Sequence, residues 1–364
     1  MNRLTGAVTI TLTIILLLLG LVFVYSASSY SAQVYYGNEY YFLFKQIIGV
    51  LLGVVALIIM SFLDYNKLKR FKWWFAGLGF VLLAIVFIPG VGIENYGAKR
   101  WIGIGSFTIQ SSEIAKFCFV IFAAIHLSQH YDKVKTFKGI LPVVLVGSLF
   151  CALILLEPNM SVTICCGVVL VSMLFVGGIK FKHMAFLLIP ALVLVPLLII
   201  IEPYRLDRLM AFINPWASPQ GEGYQLIQSL FSIGSGGLFG VGLFASRQKY
   251  LFLPFAESDF IFSIITEEIG IVGAGFVLLL FLALIICGIK IAKSAKDRFG
   301  SYLAAGITSL IAIQVLVNVA VVTGAIPPTG LPLPFISAGS SSIIVLMAAV
   351  GVLVNIHRSG VKAK

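Results

Sequence analysis

The residue best placed for chemistry in this sequence is Asp259, a carboxylate between a long polar segment and a long apolar one. The polar segment covers residues 202–258, and the apolar run that follows is predicted to be a helix. A carboxylate at such a boundary can act as a general base on a hydroxyl group within hydrogen-bond distance. It can equally be a stabilising charge at the positive end of the helix dipole. The residue types alone leave both interpretations open.

Positively charged side chains accompany this carboxylate. The candidates for binding an anionic or sugar-like substrate are Arg205, Arg208, Arg247 and Lys249 in the polar segment, Ser258 beside the carboxylate, and Arg100 with Trp101 in an earlier glycine-rich turn. Guanidinium groups bind phosphate through paired hydrogen bonds, and an indole ring packs on apolar faces. A solvated loop surface, or an interfacial anchor at residues 100–101, would explain the same residues without a substrate.

The composition indicates a membrane protein. Of 364 residues, 60% are hydrophobic and 11% are charged, with a mean hydropathy of +1.08, whereas about a quarter of residues are charged in ordinary soluble domains. Runs of about 20 apolar residues recur, and each can cross a ~30 Å hydrocarbon core as a helix. We predict an all-α polytopic protein with one membrane domain over residues 1–364. Its ten predicted spanning helices are 7–28, 43–63, 74–91, 112–130, 141–157, 160–178, 183–201, 260–289, 302–324 and 336–356.

The net charge of +11 is distributed as a topology signal. Seventeen lysines and arginines fall on one side of the predicted helices and seven on the other, with Lys116 inside a helix. Cytoplasmic loops carry the excess of these residues. We therefore predict that both termini lie in the cytoplasm and that a large extracytoplasmic loop lies between helices seven and eight. Attraction to anionic lipid, rather than nucleic-acid binding, would follow from the same charge.

Four ionisable residues are predicted to form structural ion pairs within helices. Glu113 and Lys116 are three residues apart and share a helix face. Because a charge inside a bilayer costs at least ~2.5 kcal/mol, such residues normally face the bundle and are paired. We interpret them as a buried structural pair, although a helix-end pair that reaches the surface would have the same spacing. We also hypothesise that Lys116 pairs with Glu267 or Glu268.

Three other segments carry structural predictions. The glycine run at 234–242 has no phosphate-loop lysine and follows no predicted strand, so we expect a tight re-entrant or close-packed turn rather than a nucleotide site. Residues 224–230 are amphipathic and are expected to lie along the surface. Residues 323–337 contain four prolines, and irregular backbone at membrane depth is tolerated only against protein or a water-filled cavity. We predict that this segment folds back and lines a site.

Short motifs along the chain, taken together and in order, resemble the SEDS family of polytopic membrane proteins, the peptidoglycan glycosyltransferases of the FtsW, RodA and SpoVE type. They are residues 24–28 (VYSAS), 97–102 (GAKRWI), 110–113 (QSSE), 157–158 (EP), 214–216 (NPW), 246–249 (SRQK), 258–262 (SDFIF), 267–270 (EEIG) and 333–337 (LPFIS). The SRQK form is more similar to the FtsW and SpoVE branch than to RodA.

The resemblance implies ten helices, an outward-facing cavity and a catalytic aspartate at Asp259. It implies lipid II as the substrate, undecaprenyl diphosphate as the leaving group and a class B penicillin-binding protein as the partner. It also suggests a divalent cation such as Mg²⁺. The implied process is cell wall synthesis in division, elongation or sporulation. The family's usual Gln-Pro-Asp-Leu-Gly is replaced by Glu157-Pro158-Asn159-Met160-Ser161, and Thr329 stands where division-type members often carry lysine.

Two other classes of function stay open from the sequence. A transporter, such as a flippase for a lipid-linked precursor, would need polar residues along a route through the membrane and a site near its midplane. The deep ionisable residues are instead all predicted in the outer half, which favours an outward-facing enzyme. A non-catalytic scaffold for a partner synthase would leave Asp259 dispensable.

Overall fold

The computed structural model describes residues 4–95, 98–104 and 107–362, most of which are helical. The α-helices are α1 Leu4–Tyr36, α2 Tyr41–Phe62, α3 Lys72–Ile85, α4 Ser111–Gln129, α5 Phe137–Leu156, α6 Met160–Val176, α7 Phe181–Ile201, α8 Pro203–Ile213, α9 Tyr224–Gly236, α10 Ile261–Ser294, α11 Arg298–Val322 and α12 Ser340–Lys362. Short 3₁₀ helices are Tyr65–Phe71, Tyr131–Lys133 and Pro215–Ala217.

Seven of the described helices are long and apolar enough to cross a membrane, namely α1, α2, α4, α5, α10, α11 and α12. Shorter apolar helices are α6 and the Phe181–Pro190 part of α7. Because stretches of this length and composition are stable across a bilayer, the protein is a multi-pass α-helical membrane protein, as the composition predicts.

The core of the bundle is organised around α4. In its apolar stretch 83% of the residues are buried, against 22% in that of α2, which faces outward over much of its length. Helices α3, α5, α11 and α12 pack around α4. Small residues allow close approach elsewhere in the bundle: a Cβ added at Gly49 of α2 would lie 2.7 Å from the Ser340 Cα of α12. The buried residues of α4 include Glu113 and Lys116, which are described below.

A small antiparallel sheet precedes α4 where only turns are predicted. Its strands are β1 Gly92–Asn95, β2 Ala98–Ile104 and β3 Phe107–Gln110, in the order β1-β2-β3. Trp101 lies opposite Ile93 on one side and Gln110 on the other. Tyr96 and Gly97, at the predicted turn, lie outside the described residues. The sheet leads directly into α4, which places Arg100 near the beginning of that helix.

The glycine run forms the close-packed turn that the sequence predicts, against an interruption in α10. Gly270 has φ 71° and ψ 178° within this helix. Residues 237–242 fill the gap through four backbone bonds: Val241 N to Glu267 O at 2.9 Å, Gly242 N to Glu268 O at 3.0 Å, Ile271 N to Gly237 O at 3.0 Å and Val272 N to Leu238 O at 3.2 Å. These bonds satisfy backbone groups that the broken helix would otherwise leave unpaired in an apolar environment.

Glycine is required on both sides of this contact. A Cβ at Gly240 would lie 2.1 Å from the Glu268 carbonyl oxygen, and a Cβ at Gly270 would lie 2.3 Å from the Leu238 carbonyl oxygen. Real Cβ atoms do not approach oxygen so closely, and Gly270 also has a positive φ that other residues rarely adopt. The glycine run is therefore explained by packing against α10.

The prediction that residues 224–230 lie along the surface is wrong. Their helix, α9, packs against α10 and α11, with Leu226 and Ile227 buried. The Ser229 hydroxyl lies 2.7 Å from the Ser263 hydroxyl and donates to the Val322 carbonyl oxygen, also at 2.7 Å. Small hydroxyl residues let this helix enter the bundle, because they satisfy their own polar groups there. The last helix begins at Ser340 rather than 336, because residues 325–339 are irregular.

Candidate active site

Asp259 lies in the turn before α10 and is partly buried. The irregular segment between α11 and α12 lies directly against it, because a Cβ added at Gly330 would be 3.0 Å from Asp259 Oδ2. The same Gly330 donates its backbone N–H to the Ser161 hydroxyl of α6 at 3.2 Å. The four-proline segment thus folds back as predicted, and one wall of the space around Asp259 is backbone without a side chain.

The backbone around Asp259 is held from outside its own turn. The carbonyl oxygens of Glu257, Ser258 and Asp259 accept hydrogen bonds from the Ala338 N–H at 2.8 Å, the Ser337 hydroxyl at 2.6 Å and the Asn318 side-chain amide at 2.8 Å, respectively. All three donors belong to α11 or to the irregular segment after it. Asn318 is not among the predicted site residues, although a carboxamide within an apolar run is a detectable signal.

The environment of Asp259 makes its carboxyl group more basic than usual. Its removal from water, and then the negative charge of Glu257, raise the pKa of Asp259 to about 7, while the positive charges of Arg100 and Arg208 offset part of that rise. Burial likewise raises the pKa of Glu257. A general base works best when its pKa is near the working pH. A pKa near 7 suits the role of proton acceptor that is predicted for Asp259.

Arg100 is held by the turn between α5 and α6. Its Nε donates to the Glu157 carbonyl oxygen at 3.0 Å, and a terminal nitrogen donates to the Pro158 carbonyl oxygen. The Glu157 side chain is fully buried below this turn; one oxygen accepts from the Ser111 hydroxyl at 3.0 Å, and the other has no hydrogen-bond partner among the described residues. Burial raises the pKa of Glu157 to about 8, while the Ser111 hydrogen bond and the Arg100 charge oppose the rise.

Two of the residues that differ from the usual family motif, Asn159 and Ser161, also have defined contacts. The Asn159 side chain accepts from the Val162 N–H at 3.2 Å and caps α6. The Ser161 hydroxyl accepts from Gly330, as described above. The hydroxyl oxygen of Thr329 is buried and has no partner among the described residues.

The remaining substrate-binding candidates, which are Arg208, Arg205, Trp101 and Ser258, differ in their contacts. Arg208 lies on α8 and pairs with Glu222 at 3.4 Å on an exposed surface. Arg205 lies three residues earlier on the same helix and therefore on a similar face. Trp101 is partly buried on β2 next to Arg100, and the Ser258 hydroxyl reaches the Phe255 carbonyl oxygen at 3.5 Å.

Arg247 and Lys249 lie in a second group of contacts around the glutamates of α10. Lys249 is buried, and its Nζ lies 2.6 Å from the Phe244 carbonyl oxygen, 3.3 Å from the Ser26 hydroxyl and 3.4 Å from Glu268 Oε1. The Arg247 backbone N–H donates to Glu267 Oε1 at 2.9 Å. The exposed Arg247 side chain lines a cavity of about 420 Å³. Substrate contact by either cation stays a prediction.

Serine hydroxyl groups of the 246–249 turn and of α9 complete the contacts of Glu267. Its Oε2 accepts from the Ser246 hydroxyl at 2.6 Å and from the Ser232 hydroxyl at 3.0 Å. Glu268 Oε1 accepts from the Ser26 hydroxyl of α1 at 2.5 Å. The two glutamates thus tie the SRQK turn, α9 and α1 to α10.

The ion pairs of the helices are partly different from those predicted. Lys116 Nζ lies 2.6 Å from Glu113 Oε1, with both side chains 1% exposed, and Glu113 Oε2 accepts from the Ser342 hydroxyl at 3.1 Å. The hypothesis that Lys116 pairs with Glu267 or Glu268 is wrong. Lys116 finds a partner one turn away on its own helix, and the re-entrant loop brings Lys249 to Glu268.

The residues near Asp259 fit a divalent cation only together with a phosphorylated substrate. Within residues 4–95, 98–104 and 107–362, no group of three or more His, Cys, Asp and Glu side chains could hold a metal ion. Glu257 and Asp259 are, however, two neighbouring carboxylates. Mg²⁺ is commonly held by one or two carboxylates plus the phosphates of a substrate.

These features define a polytopic α-helical membrane protein with an acid–base group and two arginines gathered where α10 begins. The chain belongs to the FtsW/RodA/SpoVE family, whose description is "Cell cycle protein" and whose sequence profile matches residues 7–362.

The chain is similar to curated relatives over nearly its whole length. It is 41% identical to Stage V sporulation protein E of Bacillus subtilis over 353 residues, which cover 96% of each protein. It is 38% identical to the "Probable peptidoglycan glycosyltransferase FtsW" of Geobacter metallireducens over 350 residues, which cover 96% of this chain and 93% of the relative.

Solved structures have the same fold. One comes from a study of the structural coordination of polymerization and crosslinking by a peptidoglycan synthase complex; it has a TM-score of 0.80 and 27% identity over 97% of both chains. Another is the rod shape determining protein RodA of Thermus thermophilus, with a TM-score of 0.71 and 25% identity over 96% of this chain and 95% of that one.

Proposed function

We propose that this protein is a peptidoglycan glycosyltransferase that polymerises lipid II into glycan strands at the outer face of the bacterial cytoplasmic membrane. The observation that carries the proposal is the position of Asp259, a partly buried carboxyl group just before α10 that lies beside the backbone of Gly330 and that Arg100 and Arg208 influence electrostatically. The names of the relatives support the reaction class, since one is a probable peptidoglycan glycosyltransferase.

The chemistry assigned to Asp259 is proton abstraction. The sugar 4-hydroxyl of one lipid-linked disaccharide attacks the anomeric carbon of another, and Asp259 accepts the hydroxyl proton as the new C–O bond forms. The bond between the anomeric carbon and the diphosphate oxygen breaks, and undecaprenyl diphosphate leaves with the electron pair. A well-placed general base contributes typically 10²–10⁴-fold to such a step.

Arg100 and Arg208 are assigned to the charge that develops on the leaving diphosphate. Fixed cations in a poorly solvated site stabilise developing negative charge more than they would in water. Arg205, Trp101 and Ser258 would contact the remainder of the substrate. Glu257 would hold a divalent cation such as Mg²⁺ together with the substrate diphosphate, whose charge the cation would neutralise when bound, and Asp259 would stay free to accept the proton.

The topology that suits this reaction has ten crossings in one membrane domain. The seven long apolar helices account for seven of them, and α3, α6 and α7 would provide the others. Both termini would be cytoplasmic by the bias of lysine and arginine. Asp259 and the loop that carries α8 and α9 would then be extracytoplasmic, at the level where lipid II presents its sugars.

A class B penicillin-binding protein is the proposed partner. The similarity to a chain from a study of a peptidoglycan synthase complex supports this assignment. Division, elongation and sporulation all require such a polymerase. Of the two relatives described above, the sporulation protein is the more similar, with 41% identity against 38%.

The direct test is lipid II polymerisation by purified protein in liposomes. Asp259→Asn should insert and fold normally but form glycan at least about 100-fold more slowly, because the amide accepts no proton. Asp207→Asn is the matched control, since Asp207 is an exposed carboxylate on α8. Full activity of Asp259→Asn would exclude the proposed role.

A transporter is the second candidate function, because discontinuous helices hold ions or substrates in many transporters. The break in α10 at Gly270 has this form, but the carbonyl groups of Glu267 and Glu268 already accept backbone hydrogen bonds from the glycine run. Movement of labelled lipid II across the membrane of vesicles, without polymerisation, would favour a transporter. Unchanged glycan synthesis in cells with Asp259→Asn would favour a scaffold.

A further inference from the structure

We propose that Asn318 and Ser337 are positioning residues that hold the backbone of Asp259 in the orientation that the reaction requires. The proposal rests on the proposed function, since positioning has meaning only if Asp259 takes the proton. Among the hydrogen bonds of the described residues, those from these two side chains go to backbone carbonyl oxygens and not to the Asp259 carboxyl group.

The first observation is that three consecutive carbonyl groups are held by donors from α11 and from the irregular segment after it. The Glu257, Ser258 and Asp259 oxygens accept from Ala338 N, Ser337 Oγ and Asn318 Nδ2, respectively. Because α10 begins only at Ile261, these bonds restrain the turn before the helix. Two of the three donors are side chains, so a substitution can remove each of these two hydrogen bonds.

The second observation is that Asn318 joins the two sides of the site. Its Nδ2 donates to the Asp259 carbonyl oxygen and to the Leu331 carbonyl oxygen, both at 2.8 Å, and the residue is 1% exposed. Leu331 follows Gly330, the residue that faces Asp259 Oδ2. One amide group therefore links the residue that bears the carboxylate to the backbone wall beside it.

Ser337 has a corresponding role at Ser258, the residue before Asp259. Its hydroxyl donates to the Ser258 carbonyl oxygen at 2.6 Å and accepts from the Leu333 N–H at 2.8 Å. Removing the hydroxyl would leave the Leu333 N–H and the Ser258 carbonyl oxygen without this partner, which is unfavourable for polar groups removed from water. A threonine in its place would retain both hydrogen bonds.

The consequence for catalysis follows from the sensitivity of proton transfer to geometry. A displacement of about 1 Å in a reacting group can cost about 100-fold in rate. Loss of either side chain should therefore lower kcat while KM changes little, because the proposed diphosphate contacts, Arg100 and Arg208, lie on other elements. Loss of a residue that binds substrate would instead raise KM and change kcat little.

The experiment measures kcat and KM for lipid II polymerisation, together with thermal stability, in the purified full-length protein. Asn318→Leu and Ser337→Ala should lower kcat about 10- to 100-fold with KM within about twofold. Ser337→Thr should restore most of the activity. Gln314→Leu is the control, because Gln314 is a buried carboxamide one turn earlier on α11 whose oxygen has no partner among the described residues.

Several results would overturn the proposal. Wild-type kcat in folded Ser337→Ala would do so, and so would a raised KM with unchanged kcat. Loss of stability and activity together in Ser337→Ala, without recovery in Ser337→Thr, would indicate a purely structural role. If Asn318→Leu fails to fold, the Ser337→Ala and Ser337→Thr pair decides. Activity of Asp259→Asn measured alongside tests the proposed function separately.

Discussion

Replacement of Glu157 by glutamine should change how the stability of this protein depends on pH. Glu157 is fully buried in the turn between α5 and α6, and its Oε2 has no hydrogen-bond partner among the described residues. Burial raises its pKa from 4.5 to about 8. The folded protein therefore retains a proton on Glu157 at pH values where the unfolded chain has lost it. Glutamine has the same shape, can still accept from the Ser111 hydroxyl, and does not ionise.

The magnitude follows from linkage. Between pH 4.5 and 8 the folded state binds more protons at Glu157 than the unfolded state, so the free energy of unfolding falls as pH rises. Each pH unit in that interval corresponds to about 1.4 kcal/mol, which gives about 5 kcal/mol at most across the interval. Below pH 4.5 both states are protonated and this contribution is fully present; above about pH 8 it is lost. Glu157→Gln removes this dependence.

The assay is reversible unfolding of detergent-solubilised protein at several pH values from 5 to 9. Glu157→Gln should gain stability relative to wild type as pH rises, by up to about 5 kcal/mol near pH 8. Glu202→Gln is the control, because Glu202 is exposed at the end of α7 and should leave the pH dependence unchanged. A stability difference that stays constant with pH, or that shrinks as pH rises, would refute the argument.

Three further predictions concern the site and its support. The kcat/KM for lipid II should rise with pH through about 7 as Asp259 loses its proton, and Glu257→Gln should shift this rise to lower pH because a negative neighbour is removed; an unshifted profile would contradict the assigned cause. Gly270→Ala should cost about 2–4 kcal/mol of stability, since its Cβ would lie 2.3 Å from a carbonyl oxygen at a positive φ, whereas Gly275→Ala, which meets nothing within 4 Å, should cost far less. Chelation of divalent cations should slow polymerisation without lowering the thermal stability of the substrate-free protein, because the cation would be shared with the substrate diphosphate; equal activity in EDTA would remove the cation from the proposal.

Residue types along the chain were sufficient to locate the seven long apolar helices and to single out Asp259. An apolar run of about 20 residues is stable across a bilayer whatever its neighbours are, so the spans can be recognised locally. Asp259 was recognisable because a carboxylate at the end of such a run is costly to place deeper. The motifs then indicated the family, and the family profile covers residues 7–362.

Local pattern did not reveal how distant segments pair. The pair of Lys116 with Glu113, three residues away, was predicted from their spacing. The additional pairing of Lys116 with Glu267 or Glu268 was wrong, because Lys249 reaches Glu268 from a loop that enters the bundle. Residues 224–230 have an amphipathic pattern typical of a surface helix, but serine hydroxyls let their helix pack inside.

The sequence by itself determined that this is a multi-pass helical membrane protein and where its key carboxylate lies, because hydrophobic burial depends on composition within one segment. The tertiary structure alone decided what surrounds that carboxylate. Asn318 bonds to Asp259 across 59 residues, and Ser26 bonds to Glu268 across 242. Such contacts depend on the packing of whole helices and on the glycines that let backbones approach, neither of which a local pattern encodes.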